Sequence, residues 1–369
     1  MKDIVRWRRE LHQIPELGLK EYKTAQYLRN ELTLMGYHYE EILGTGTLVY
    51  IDHHQKETLA FRSDIDALPI KEKNDIDFKS THDGCMHACG HDGHMSALLG
   101  LAKELRTVED APYNYLLIFQ PAEEAPGAAK DIVESGIFDK YHVKAIFGMH
   151  LMPFLEEGKV GCKSGPLMAQ CGEFDVLIKG KGAHAGLPHQ GIDSILIASE
   201  AILSYQTIIS RRVSPFEQAI INVGTIKGGD ACNAVADSVA LRGTMRCYNE
   251  DVFNDMVMWM NKIHQGLEEN YNCEIKFSCP PMYPPLINDE DVYQRFKSLV
   301  NKDYYQELKE PLMLSEDFAF YGKAVPSLFF FLGIRTDSFT SGLHTDTFNF
   351  NEDVLEKGIE TYMTIAKYY

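Results

Sequence analysis

Four short apolar runs recur along the chain, over residues 58–62, 115–119, 143–147 and 327–332. Each has the length of a strand buried on both faces and is too short for a core helix. Helical stretches, notably 94–105, separate several of them. This alternation predicts an α/β fold: a mostly parallel sheet with helices on both faces. In such sheets, ligands sit beyond the carboxyl ends of the strands. After Arg62 come Asp64 and Asp66, after Phe119 come Glu123 and Glu124, and after Phe147 comes His150. Beyond Leu332 the chain runs on to His344. Four strands therefore deliver carboxylates or histidines toward one edge, where an ordinary solvated rim would scatter them.

Other elements frame this sheet. Ile4, Trp7, Leu11 and Ile14 recur at helical spacing, and Pro15 ends the pattern. A second helix is expected to start near Thr24 as its N-cap, with Ala25, Leu28, Leu32 and Met35 as its apolar stripe and Gly36 as its stop. The middle of the chain changes rhythm. Strands are expected over 171–179, 219–226, 238–245 and 273–277, with helices over 193–209 and 250–267. That is the β-α-β-β-α-β order of a ferredoxin-like α+β domain. Turn-rich segments at 161–166 and 280–285 flank it. The expected organisation is an inserted domain at 172–285 that splits a catalytic domain of residues 1–171 and 286–369.

Composition narrows the partners. The formal net charge is −17 over 369 residues, which argues against nucleic acid and anionic membrane surfaces. No run of 18 apolar residues exists, and the opening MKDIVRWRRELH lacks the apolar core of a secretory signal. Eight cysteines are few for this length, so a reduced, cytoplasmic protein is expected.

The densest chemistry lies in 86–94, where His87, Cys89, His91, Asp92 and His94 crowd together ahead of a helix. Cys89 and His91 stand two apart around a glycine, so an extended or turn segment presents both to one side. A thiolate and an imidazole suit Zn²⁺, Co²⁺, Ni²⁺ or Mn²⁺. Cys85 and Cys89 lack the Cys-x-x-Cys spacing of a redox pair. Glu123 and Glu124 form the second constellation. On extended chain, neighbours face opposite sides, so one carboxylate serves a metal while the other faces substrate as a proton acceptor.

These residues carry a family resemblance. LHQIPELG (11–18), RSDIDALPI (62–70), MHACGHDGHM (86–95), FQPAEE (119–124), FGMHL (147–151), GKGAHAGLPHQGIDSI (180–195), CNAVADS (232–238), LRGTMR (241–246), SEDFAFY (315–321) and LHTDTFNF (343–350) span nearly the whole chain. In this order they resemble the M20 metallopeptidase family, and most closely its aminoacylase and amidohydrolase branch. That branch includes hippurate hydrolases, auxin-conjugate hydrolases and N-acetyldiaminopimelate deacetylases. One departure is Ala234-Val235-Ala236, where relatives usually carry a proline-containing Val-Ile-Pro.

The resemblance implies two divalent metal ions per subunit, Mn²⁺ or Zn²⁺, with Co²⁺ or Ni²⁺ as alternatives. Cys89, His91, Glu124, His150 and His344 would be the ligands, with Cys89 as the bridge. Glu123 maps onto the general base and Asp66 onto a residue that orients a ligand. Asp64 stands where other M20 branches place a histidine ligand. The inserted domain resembles the family's lid and dimerisation domain. His184 matches a lid histidine that reaches the partner's active site, and Asn233 and Arg246 match residues that hold the substrate's carboxylate. The implied activity is hydrolysis of the amide bond of an N-acyl-L-amino acid by a homodimer joined through its lids. N-acetyldiaminopimelate deacetylation and dipeptidase or carboxypeptidase action are the enzymatic alternatives, and a non-catalytic metal-binding protein is a further one.

Overall fold

Thr58–Asp64 and Asn114–Gln120 are buried at every residue and pair in parallel inside an eight-stranded sheet. Val143–Glu156 and Ser327–Arg335 extend the parallel core. Antiparallel neighbours, Gly46–Ile51 on one side and Val160–Cys162 on the other, flank these four strands. This is the expected mixed α/β architecture. The computed structural model describes residues 2–369 and divides into two units. The sheet belongs to the first, made of Met1–Leu167, Ile287–Pro311 and Asp317–Tyr369.

The helix His91–Leu105 is buried at every position except Lys103 and Glu104. A helix buried all round requires neighbours all round it. It packs on Thr58–Asp64 and against the helices Asp3–His12 and Leu355–Tyr368. Gly100 sets the closeness of one approach: a Cβ there would lie 2.1 Å from Ile359 Cδ1.

Three boundaries differ from expectation. The second helix runs Tyr22–Leu34, so Thr24 lies inside it rather than capping it. Glu16 takes over the capping: its Oε2 accepts from the backbone N–H groups of Lys23 (2.8 Å) and Thr24 (3.0 Å). The third helix opens at His91, three residues before His94, because Gly90 adopts a left-handed φ of 91° that turns the chain directly into it. Val143–Glu156 continues past Phe147, paired with Ser327–Arg335, so His150 sits within a strand and not after one.

The second unit comprises Met168–Leu286 and Leu312–Glu316. Its four antiparallel strands stand in the order Ala219–Gly228, Ser238–Cys247, Gln170–Lys179, Glu274–Ser278. Two helices, Ser194–Arg211 and Glu250–Tyr271, cover the sheet, with Phe174, Ile178, Ile197, Tyr205, Leu241 and Met260 in the core between them. Asp193 and Asn249 cap these helices through their side chains. Connectivity and strand order are those of the ferredoxin-like topology. The segment 312–316, expected with the first domain, joins this unit: Leu312 O accepts from Ala169 N at 3.1 Å, and Met313 O accepts from Arg246 Nη1 at 2.7 Å. Among the described residues, no helix is long and apolar enough to cross a membrane.

Candidate metal centre

Gly90 separates Cys89 from His91, and its left-handed backbone lets the helix begin at the imidazole itself. His150 comes from the long strand Val143–Glu156. His344 arrives from the loop after Ser327–Arg335, at a left-handed φ of 59°, and its N–H donates to Ala88 O at 2.8 Å. That bond ties the His344 loop to the residue before Cys89.

The side chains converge on the thiol. Cys89 Sγ lies 3.3 Å from His150 Nε2 and 3.3 Å from His344 Nε2. His344 Nε2 is 3.1 Å from Glu124 Oε1, and His91 Nε2 is 4.0 Å from that same oxygen. Two sets of donor atoms, Cys89/His91/His150 and Cys89/Glu124/His344, each fall within 4.8 Å of one another and share the thiol. A third set joins His91 to Glu123 and Glu124. His91 Nε2 is buried and makes no hydrogen bond. Orphaned buried polar atoms are costly, and donors that converge on one point without a proton between them suit a cation.

The far sides of the rings fix this orientation. His91 Nδ1 lies 2.9 Å from Asp66 O and 3.3 Å from Asp66 Oδ1. His150 Nδ1 lies 2.7 Å from Leu151 O. Those carbonyls accept from Nδ1–H and turn Nε2 of each ring toward the donor cluster. Asp66 also accepts from Glu124 N, at 2.9 Å from Oδ2.

The electrostatics call for positive charge. Burial, then the Glu124 and Glu123 charges, push the Cys89 thiol well above its ordinary range. Burial alone would discharge His91, but the Asp64 charge, with Asp66 and Glu124, raises it to about 10. Burial, reinforced by His94, holds His150 well below the ordinary histidine value. Divalent ions reverse these preferences, because they ionise a thiol and replace the imidazole proton. The residues present fit a binuclear centre.

Several expectations need correction. Glu123 and Glu124 do not lie on extended chain. The strand stops at Gln120, Ala122 takes a φ of 51°, and the pair rides a turn. Their separation comes from the turn, not from strand alternation. Of the 86–94 cluster, only Cys89 and His91 face the candidate centre. His94 uses both ring nitrogens elsewhere: Nδ1 lies 2.7 Å from Asp64 Oδ1, and Nε2 accepts from Leu151 N at 2.9 Å. Asp92 pairs with Arg8 (3.0 Å) and His12 (2.7 Å). Asp64 is the last residue of its strand, held by Arg62 Nη1 at 2.9 Å.

His184, Asn233 and Arg246 lie in the second unit. His184 is exposed on the two-residue strand Ala183–His184, which pairs with Ala234–Val235. Asn233 is exposed beside that strand, and its carbonyl accepts from Ala185 N at 3.0 Å. The pairing brings His184 and Asn233 onto neighbouring chain segments. Arg246 lies in Ser238–Cys247. Sequence reasoning missed the buried Arg62–Gln120–Asp317 network. Its trace was the SEDFAFY segment and a lone arginine ending an apolar run.

Comparison with known proteins gives a consistent picture. The model of peptidase family M20/M25/M40 matches residues 60–368. An uncharacterized hydrolase of Staphylococcus epidermidis is 36% identical over 372 residues, covering 98% of this chain and 97% of the relative. The IAA-amino acid hydrolase ILR1-like 4 of Arabidopsis thaliana is 37% identical over 374 residues, covering 98% and 84%. Among solved structures, the Bacillus subtilis YXEP protein, described as a dinuclear metal-binding peptidase from the M20 family, aligns with a TM-score of 0.85. It is 30% identical and covers 99% of this chain and 96% of that one.

Proposed function

The chain belongs to peptidase family M20/M25/M40, and on that premise we propose that it hydrolyses the amide bond of N-acyl-L-amino acids. The observation that carries the reading is the thiol of Cys89 shared by two donor sets, with the Glu123 carboxylate one residue from Glu124 at their edge. Cys89, His91 and His150 would hold one ion, and Cys89, Glu124 and His344 the other. When bound, the ions supply Lewis acidity and make water nucleophilic at neutral pH. Mn²⁺ or Zn²⁺ suits this mixed sulfur, nitrogen and oxygen set, and Co²⁺ or Ni²⁺ also matches it.

The chain's own residues do the rest. Glu123, 6% exposed, takes a proton from the attacking water and returns it to the leaving amine. His184 stabilises the oxyanion of the tetrahedral intermediate. Asn233 and the Arg246 guanidinium hold the substrate's free carboxylate. Asp66 keeps the His91 ring and the Glu124 backbone in place. The IAA-amino acid hydrolase likeness favours an N-acyl amino acid over a peptide. The peptidase description of the Bacillus subtilis relative supports dipeptide cleavage as the second reading.

The working unit is a homodimer joined through the second unit, in which His184 serves the partner's site. Ala219–Gly228 is a sheet edge with exposed Ile220 and Ile226, and the helix Ser194–Arg211 exposes Leu196 and Leu203, seven residues apart. An open edge beside an apolar stripe suits a second copy of this chain. A cytoplasmic setting suits eight unpaired cysteines, one of them a thiolate ligand.

A panel of N-acetyl-methionine, hippurate, N-acetyl-diaminopimelate and a dipeptide, each assayed with added Mn²⁺, Zn²⁺, Co²⁺ or Ni²⁺, tests the reading. Preference for an N-acyl amino acid supports it. Cleavage of the dipeptide alone selects the second reading, and no metal-dependent turnover on any substrate rejects both.

A further inference from the structure

The turn that carries Glu123 and Glu124 has almost no regular structure of its own, yet buried carboxylates hold it at three points. Ala122 N donates to Glu21 Oε1 at 2.8 Å, and Glu124 N to Asp66 Oδ2 at 2.9 Å. Ala128 N and Ala129 N, where the turn enters the helix Ala129–Glu134, both donate to Asp317 Oδ2 at 3.0 Å. The same Asp317 carboxylate accepts from Gln120 Nε2, at 2.8 and 2.7 Å, where the turn leaves the strand. Arg62 Nη2 supplies its counter-charge at 2.9 Å, and Asp317 is 0% exposed. One side chain thus ties both ends of the turn together. Its backbone N–H also lies 3.5 Å from Glu123 Oε1.

We infer that Asp317 is a positioning residue that sets the Glu123 carboxylate by clamping the two ends of its turn, while Asp66 independently sets Glu124. This rests on the proposed role of Glu123. A buried carboxylate that accepts several N–H groups and faces a guanidinium is held rigidly in place. Reaction rates are sensitive to small misplacements, and about 1 Å can cost 10²-fold. Loosening the clamp therefore moves the proton acceptor while leaving the donor atoms around Cys89 in place.

The test is the variant Asp317→Asn, which keeps the shape but sets an amide N–H₂ among donors. The metal-loaded protein is measured alongside Glu123→Gln and the double variant. We expect kcat to fall about 10–100-fold, with KM changed less than twofold and metal content unchanged. In the Glu123→Gln background, Asp317→Asn should cause no further loss, since a clamp acts through the group it holds. Additive losses, or a loss of metal equal to the loss of rate, overturn the inference. If Asp317→Asn does not fold, Gln120→Met removes the strand-side half of the clamp and keeps the Arg62–Asp317 pair. A several-fold fall in kcat, absent in the Glu123→Gln background, supports the inference, and an unchanged kcat refutes it. Near-normal turnover of Glu123→Gln alone instead refutes the proposed base, so the two failures are distinguishable.

Discussion

Cys89 Sγ and His344 Nε2 lie 3.3 Å apart although 255 residues separate them in the chain. The backbone bond from His344 N to Ala88 O holds the contact, and His344 itself takes a left-handed φ of 59°. The thiol meets His150 on its other side at the same distance. One sulfur at the meeting point of two donor sets is the geometry a bridging ligand needs.

Replacing that sulfur tests the bridge. Cys89→Ala is expected to reduce bound metal below two ions per subunit and to abolish most activity, because a methyl group offers no donor. Metal analysis of the purified variant checks this, and full stoichiometry would exclude Cys89 as a ligand.

Glu123→Gln separates proton transfer from metal binding. Both ions should remain while kcat falls about 10²–10⁴-fold, the usual worth of a general acid–base. Steady-state kinetics beside metal analysis reads both quantities. Near-normal turnover would remove Glu123 from the mechanism.

How much of this was legible in the sequence depended on range. The sheet was legible because fully buried strands are written as apolar runs, and Cys89 and His91 because they are neighbours. The start of the second helix was not, since its cap, Glu16, lies outside the helix and announces nothing locally. The division between His91 and His94 was hidden for a similar reason. Only the tertiary placement of Asp64 and of the Leu151 N–H decides that His94 spends both nitrogens on structure. The pairing of Arg62 with Asp317 spans 255 positions and has no periodicity to betray it. The strand ends placed His344 beyond the fourth apolar run, but its role as a ligand came only through the family resemblance.

The shared-site dimer predicts complementation. His184→Ala and Glu123→Gln homodimers should each be nearly inactive. In a heterodimer, one site combines the intact Glu123 of one chain with the intact His184 of the other. Random exchange makes about half of the dimers mixed, so about one quarter of all sites should recover. Mass spectrometry must first establish that heterodimers form. Confirmed heterodimers as inactive as their parents, or an active monomer, contradict the shared site.

The second unit should lose stability in mild acid. His264, 3% exposed and 2.6 Å from Tyr205 Oη, is held down to about 4 by burial. Its unfolded value is about 6.5, so the unfolded state binds the extra proton between these limits. Stability is therefore full above about pH 6.5 and falls as pH drops toward 4, by up to about 3 kcal/mol. Urea unfolding followed by Trp259 fluorescence in a Trp7→Phe background reads the unit. His264→Phe should flatten the slope between pH 7 and 5, and equal slopes in both proteins would show that His264 is not its source.

The most direct measurement is anomalous scattering from crystals of the Mn²⁺- or Zn²⁺-loaded protein. We expect two peaks about 3.5–4 Å apart, each within bonding distance of Cys89 Sγ. One should sit beside His91 and His150, the other beside Glu124 and His344. A single peak, or two peaks that leave Cys89 Sγ uncoordinated, would contradict the binuclear centre on which the proposed hydrolysis rests.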